Sequence, residues 1–252
     1  MTHARTSRVL DDLRERIAHL EGSSARRANI LPFGIPDMDD RLPGGGLAYA
    51  TIHEVSGGGT DTVNGAAAAL FAAGIAARTK GKILWCLTRP DLFFPALAQA
   101  GLHPDRVIFC ETSREEDVLA ACEEGLGFGG FGCVVGELVR LPMTASRRLQ
   151  LAAERGKSMG LVVRRWRRQS EAKDYGQPTA STTRWRVSVL PSEPLPVAGV
   201  GRARWLAELM RVKAGECCEF ELGAPDAAGR MCLLPVFVDG KDQAGLSRRR
   251  AV

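Results

Sequence analysis

The sequence predicts an α/β fold in which a mainly parallel sheet carries helices on both faces, with an N-terminal helix in front and antiparallel strands behind. Between residues 50 and 164, short apolar strands alternate with helices, which is the pattern of a parallel sheet with crossover helices. The run Ile83–Leu87 is apolar throughout, as is typical of a strand buried on both faces. The chain has 252 residues, 45% of them hydrophobic and 25% charged, which suits one such domain.

The first predicted element is an amphipathic helix over residues 7–21. Four apolar residues recur along it at helical spacing, with charged residues between them: Leu10, Leu13, Ile17 and Leu20. A lone helix of this length is marginal in water, so we expect it to dock on the core or on a partner.

The predicted core alternates strand and helix in chain order. Its parallel strands cover Ala50–Val55, Lys82–Leu87, Val107–Cys110, Cys133–Leu138 and Gly160–Arg164. Its helices cover Asn64–Arg78, Leu92–Gly101, Arg114–Gly125 and Thr144–Gly156. The antiparallel extension covers Thr183–Leu190, Trp205–Lys213 and Glu216–Leu222. The predicted organisation is therefore a helix and linker over residues 1–28, a core over residues 29–239 and a disordered basic tail over residues 240–252.

A glycine-rich turn joins the first core strand to the alanine-rich helix, where a nucleotide-binding loop would cradle phosphate with backbone N–H groups. The turn contains Gly57, Gly58 and Gly59. A phosphate loop ends in lysine followed by serine or threonine, but the positions that end this loop hold Thr62, Val63 and Asn64. Asp61 adds a negative charge where a phosphate would lie, so we expect weak or absent nucleotide binding and no cofactor.

Basic residues are concentrated in residues 140–213, which hold 16 Lys and Arg against 5 Asp and Glu. Such a segment is typical of a surface for nucleic acid or an acidic protein, or of a solvated basic face without a partner. Arginine pairs with phosphate and tryptophan stacks on bases. The candidate DNA-binding residues are Arg164, Arg165, Trp166, Arg167, Arg168, Arg184 and Arg186. The alternative is an arginine-rich face with its tryptophan packed into the core.

Several other classes of protein are disfavoured by the sequence. No apolar run reaches the ~20 residues of a membrane-spanning helix, and charges interrupt the N-terminus where a signal peptide would be apolar. We therefore expect a cytoplasmic protein that has no contact with a membrane. The seven cysteines form no C-x-x-C pair and the four histidines are scattered, so we expect reduced cysteines and no metal site.

The order of these motifs resembles a RecA-like, P-loop-type core and, more closely, the ImuA family of bacterial damage-inducible mutagenesis proteins. The resemblance rests on the segments Leu31–Pro36, Gly44–Leu47 and His53–Val55, and on the order of strands and helices through Ile83–Glu111 and Leu126–Leu141. It extends over roughly residues 8–225.

The chain departs from the RecA pattern at three parts of an ATPase site. The resemblance implies a loop lysine where Val63 stands, and a catalytic glutamate after the second core strand, where Thr88 stands. It also implies a magnesium-binding aspartate at the end of a later strand, where Gly136 and Glu137 stand. We interpret Glu137 as a surface residue at a strand end and Asp91 as a helix N-terminal residue. Loss of these charges removes transition-state stabilisation, so we expect no ATP hydrolysis.

The resemblance implies a non-catalytic accessory role in error-prone translesion DNA synthesis during the DNA-damage (SOS) response. It implies two partners: ImuB, a Y-family-like polymerase homologue, and an error-prone polymerase α-subunit. RecA and DNA are further candidate partners, and the apolar face of the N-terminal helix is the candidate partner-binding surface. Two alternatives stay open, an atypical DNA-stimulated ATPase and a modulator of RecA filaments.

Overall fold

A computed structural model describes residues 29–166, 168–192, 197–199, 201–213 and 215–234. The predicted N-terminal helix with Leu10, Leu13, Ile17 and Leu20 lies outside the described residues, as do Arg167 and the tail 240–252. Within the described residues, no helix combines the length and apolar character needed to cross a membrane.

A nine-stranded mixed sheet forms the centre of the molecule, and a two-stranded ribbon lies beside it. The ribbon pairs β1 (Ile30–Leu31) with β2 (Leu47–Ala48). The large sheet contains β3 (Thr51–Gly57), β4 (Ile83–Leu87), β5 (Val107–Glu111), β6 (Cys133–Leu138), β7 (Met159–Arg164), β8 (Thr183–Leu190), β9 (Arg204–Val212), β10 (Cys218–Gly223) and β11 (Cys232–Leu233). Its strand order is β11-β10-β9-β8-β3-β7-β6-β4-β5.

The α-helices are α1 (Pro36–Asp39), α2 (Ala66–Arg78), α3 (Phe94–Gln99), α4 (Glu115–Phe128) and α5 (Met143–Gly156). Helices α2 and α3 cover one face of the sheet together with the segment that precedes β3. Helices α4 and α5 cover the other face. Alanines on α2 are buried against the strands, because small side chains let a helix approach a sheet closely.

The six strands from β8 to β5 are parallel to their neighbours, and β9 to β11 add antiparallel pairs. The predicted α/β fold with a mainly parallel sheet is therefore confirmed. We placed β8 in the antiparallel extension, which is right for its pairing with β9 and misses its pairing with β3. It pairs parallel with β3 and antiparallel with β9, so it joins the two parts. The sequence of β8 alternates because Trp185 and Val187 are buried on one side of the strand. The residues that alternate with them, from Arg186 on, are more exposed.

A buried histidine connects β3 to β8 and to the ribbon. The Nε2 atom of His53 lies 2.9 Å from the carbonyl oxygen of Ala48, and Nδ1 lies 2.8 Å from the hydroxyl of Thr183. Because a carbonyl only accepts, Nε2 carries the hydrogen and Nδ1 accepts from Thr183. The Thr183 hydroxyl in turn accepts from Trp185 Nε1 at 3.1 Å. Burial lowers the pKa of His53 from 6.5 to about 4, against the smaller raising effect of the Ala48 carbonyl.

We predict that His53 makes the fold sensitive to mild acid. Between pH 6.5 and 4 the unfolded chain protonates this histidine while the folded protein keeps it neutral, so the free energy of unfolding falls as the pH falls. The loss across this window should be about 3 kcal/mol. Urea unfolding at pH 7 and pH 4 measures it, and the substitution His53→Gln should remove most of the difference. The variant His103→Gln, at an exposed histidine, should lose as much stability between pH 7 and pH 4 as the unsubstituted protein does.

Candidate functional site

The glycine loop after β3 is closed on itself. A side chain at Gly57 would lie 2.6 Å from the backbone carbon of Asn64, so the two ends of the loop touch. The Gly58 N–H donates to the Val187 carbonyl at 2.9 Å, and the Asn64 side chain accepts from the Val189 N–H at 2.9 Å. These bonds join the loop to β8. In a phosphate loop such an N–H would point to the bound phosphate, whereas the Gly58 N–H points to a strand.

The carboxylate of Asp61 fills the inside of this loop. A side chain at Gly65 would lie 2.2 Å from Asp61 Oδ1, so the glycine makes room for the carboxylate. The space enclosed by the loop, Arg164 and Trp166 is too small to admit a water molecule. The loop therefore holds an internal anion at the position where a nucleotide-binding loop would hold phosphate.

Arg165, the first residue after β7, binds this carboxylate and two others. Its Nε and Nη2 atoms donate to Asp61 at 3.1 and 3.0 Å. Its Nη1 and Nη2 atoms donate to Asp91 at 2.8 and 3.1 Å, and Nη1 also donates to Glu137 at 3.0 Å. A guanidinium group has five N–H donors, so each one is used. Arg89 adds a longer contact, with Nη1 3.8 Å from Asp61.

The charges of this cluster support one another. Burial would lower the pKa of Arg165, but Asp61, Glu137 and Asp91 outweigh burial and hold that pKa above its usual value. Burial raises the pKa of Glu137, and Arg165 and Trp85 offset this only in part. Three carboxylates thus face the guanidinium groups of Arg165 and Arg89, which leaves one negative charge in excess.

The faces of the strands determine what each predicted ATPase position can contact. Gly136 is buried beside the thiol of Cys122 on α4, so it faces away from the loop. Glu137 faces the loop side, where its Oε1 accepts from Trp85 Nε1 at 2.9 Å. The interpretation of Glu137 as a surface residue was therefore wrong, because its side chain is buried and bonded. Thr88 is half-buried after β4, and Thr62 and Val63 lie at the outer side of the loop.

A second buried cluster holds the arginine that precedes Arg165. Arg164 has no exposed side-chain surface, and it donates to Glu54 at 3.3 Å and to Asp174 at 2.8 Å. Arg184 donates to the same Glu54 at 3.1 Å. Burial would raise the pKa of Glu54, but Arg184, Ser181 and Thr179 outweigh it and hold that pKa below its usual value.

The remaining candidate DNA-binding residues occupy mixed environments. Trp166 is buried, and its ring centroid lies 5.0 Å from that of Tyr175. Arg186 pairs with Glu208, whereas Arg168 is exposed. DNA contact stays a prediction for this set. Burial and carboxylate pairing favour a structural role for Arg164, Arg165 and Arg184.

A cleft of about 660 Å³ opens beside the Arg165 cluster. Asp61, Asp91 and Arg165 form its charged end, and Leu70 and Leu97 belong to its apolar wall. At its edge Phe93 is 70% exposed, and the next residue, Phe94, is 44% exposed. The cleft thus joins a saturated charge cluster to exposed aromatic surface.

No group of metal-ligating side chains is assembled within the described residues. The cysteines are free, and Cys86 and Cys133 are buried. Burial raises the pKa of Cys133 above its usual value, so this thiol is a poor nucleophile.

Comparison with known proteins agrees with the sequence motifs. Two curated relatives named Protein ImuA, from Caulobacter vibrioides strains NA1000 / CB15N and ATCC 19089 / CIP 103742 / CB 15, are each 35% identical to the chain over 218 residues. Each alignment covers 82% of this chain and 88% of the relative. The chain belongs to the ImuA family. No protein-family model matches the sequence.

The Arg165 cluster of this ImuA-family chain was not predicted from the sequence. We treated Arg164 and Arg165 as one basic run, although each is the hub of a different carboxylate cluster. The available signal was that Asp91 and Glu137 stand at or just after the ends of two strands and Asp61 follows a third. The ends of parallel strands meet at one edge of a sheet, where an arginine after β7 can reach all three.

We predict that Arg165 is a major source of stability in this family member. The substitution Arg165→Ala leaves Asp61 and Glu137 buried without their partner, which should cost about 3–5 kcal/mol. Arg165→Lys should also be destabilised, because an ammonium group cannot replace the forked contacts. Urea unfolding measures both effects, with the exposed Arg168→Ala as control at about 0.5 kcal/mol or less. An Arg165→Ala protein as stable as that control would contradict the assignment.

Proposed function

We propose that this protein has a RecA-like core and is a non-catalytic accessory factor in error-prone translesion DNA synthesis of the SOS response. We place its action in the cytoplasm. It docks to ImuB, the Y-family-like polymerase homologue, and works with the error-prone polymerase α-subunit. Membership of the ImuA family supports the pathway. The observation that carries the absence of catalysis is the occupation of the loop by Asp61 and Arg165.

The charges at the loop oppose nucleotide binding. A triphosphate would meet the carboxylate of Asp61 inside the loop and an excess negative charge around Arg165. The guanidinium of Arg165 has no free donor with which to bind phosphate. Opening the loop would break the two hydrogen bonds between Asp61 and Arg165 and the two that join the loop to β8, so ATP binding competes with the fold itself.

We predict no ATP turnover above background, with or without single-stranded DNA. Phosphate release measures turnover, and a fluorescent ATP analogue measures binding. Substitutions at the phosphate-loop positions should not change ATP binding. Val63→Lys alone should therefore not restore it while Asp61 and Arg165 are paired. Turnover that disappears in Glu137→Gln would instead support the atypical ATPase.

The aromatic edge of the cleft is the surface that best fits a protein partner. Phe93 and Phe94 expose large apolar area next to a cleft with an apolar wall, and such patches on soluble proteins mark interaction sites. Phe94 packs on Phe109 of β5, the last strand of the sheet, with ring centroids 4.6 Å apart. The Arg165 cluster at the charged end of the cleft, with its one carboxylate in excess, favours a partner segment that carries a basic side chain beside an apolar one. We assign the polymerase homologue to this surface.

A matched pair of exposed phenylalanines tests this docking surface. Phe93 is 70% exposed at the cleft, and Phe128 is 75% exposed at the end of α4. Phe93→Glu should weaken co-purification with tagged ImuB about tenfold or more, because an aromatic anchor would become a buried charge. Phe128→Glu should bind as the unsubstituted protein does.

Equal binding by both variants would exclude this surface. Capture of RecA without either polymerase component would favour the modulator of RecA filaments.

A further inference from the structure

A group of unpaired basic side chains lies at the carboxyl ends of β6 and β7. We call this group the basic ridge, and it consists of Arg140, Arg147, Arg168 and Lys173. All four are exposed. Within the described residues, none of the four side chains makes a hydrogen bond or an ion pair. They differ in this respect from Arg164, Arg165, Arg184 and Arg186, whose charges are paired with carboxylates.

Hydrogen bonds between neighbouring residues bring the members of the ridge together. The Leu141 N–H donates to Asp174 at 2.8 Å, which brings Arg140 near Lys173. The Ala180 N–H donates to the Ser146 hydroxyl at 3.0 Å, which holds the same segment against the start of α5 beside Arg147.

Arg168 is attached to the same region through β7. The Arg165 N–H donates to the Leu138 carbonyl at 3.0 Å, so the chain that leads to Arg168 leaves the sheet beside the chain that leads to Arg140.

The carboxylates in this region do not neutralise the ridge. Asp174 is paired with Arg164, so it is already offset. Glu115 accepts from the Val139 N–H at 2.6 Å, and Glu171 lies within the segment that carries Arg168 and Lys173. Four cations thus stand against two carboxylates, which leaves a positive surface with free donors.

The chemistry of the ridge fits phosphate groups better than a protein surface. On α5, Met143 is 36% exposed and Leu151 is 64% exposed, one helical turn before and after Arg147, so two separate apolar side chains stand beside the four cations. A protein interface needs an apolar core, whereas a polyanion backbone needs cations with free donors.

We propose that the basic ridge binds the phosphate backbone of nucleic acid. The inference deepens the proposed function, since it gives a docking protein a second contact, to the nucleic acid on which its partner acts. Among the predicted DNA-binding residues that the structure describes, it keeps Arg168 and moves the contact away from the buried arginines that are paired with carboxylates.

The test is the salt dependence of binding to a fluorescein-labelled oligothymidylate, measured by fluorescence anisotropy. Each lost phosphate contact should reduce the slope of log Kobs against log salt by about 0.7 for a single strand. The double variants Arg140→Gln/Arg147→Gln and Arg168→Gln/Lys173→Gln should therefore each reduce the slope by about 1.4. The same measurement with a labelled DNA duplex shows whether the ridge binds the phosphates of single-stranded or of double-stranded nucleic acid.

The control removes the same charge from the opposite edge of the sheet. Lys80, before β4, and Lys157, before β7, are exposed, and Lys80→Gln/Lys157→Gln should leave the slope unchanged. The tail arginines Arg248–Arg250 are the same in all variants, so differences between variants report the ridge. The four ridge substitutions are at exposed positions, and unfolding curves should match those of the unsubstituted protein.

Three results would overturn the proposal: no binding to either nucleic acid, an equal loss of slope in the control, or tighter binding to polyglutamate than to oligothymidylate. The last would assign the ridge to an acidic protein. The ridge variants should keep their binding to ImuB, so failure of this inference and failure of the docking proposal are distinguishable.

Discussion

The pairing of Arg165 with Asp61, Asp91 and Glu137 is the interaction on which the carboxyl edge of the sheet depends. One guanidinium group connects the glycine loop, the turn after β4 and the end of β6 to the residue that follows β7. Each carboxylate alone would be costly in a partly buried position, and the arginine would be costly without them. The hydrophobic core packs against the two faces of the sheet and does not connect these elements at the carboxyl edge. The cluster therefore holds them together there.

Two adjacent arginines divide this work between the two sides of the chain. Arg165 turns to the loop, whereas Arg164 turns to Glu54 and Asp174. Glu54 in turn accepts from Arg184 on β8, the strand that joins the parallel and antiparallel parts of the sheet. A nucleotide-binding loop without its nucleotide would expose unpaired amides, whereas the glycine loop of this chain is closed around its own Asp61 carboxylate. The result is a closed, self-paired edge flanked by exposed aromatic side chains on one side and exposed cations on the other.

The strands were predictable from sequence because apolar runs such as Ile83–Leu87 and Cys133–Leu138 are local patterns, and both appear as β4 and β6. The charge clusters were not, because Arg165 meets Asp61 across 104 positions and Asp91 across 74. A basic run such as 164–168 looks the same in sequence whether its side chains face water or carboxylates. The end of β6 was also hard to predict, because the sequence does not show which of Gly136 and Glu137 faces the loop. The orientation of β6 in the sheet shows that it is Glu137.

The closed glycine loop has a consequence for timing. Nucleotide-driven proteins change their affinity for a partner when the bound phosphate is hydrolysed, and the hydrolysis step acts as a clock for release. Under the proposed non-catalytic function, a protein whose loop is occupied by its own carboxylate has no such clock. The lifetime of its complexes is then set by dissociation rates and by how much of each subunit the cell makes. Switching such an assembly off requires dilution, degradation or competition, so its persistence after induction is governed by protein turnover.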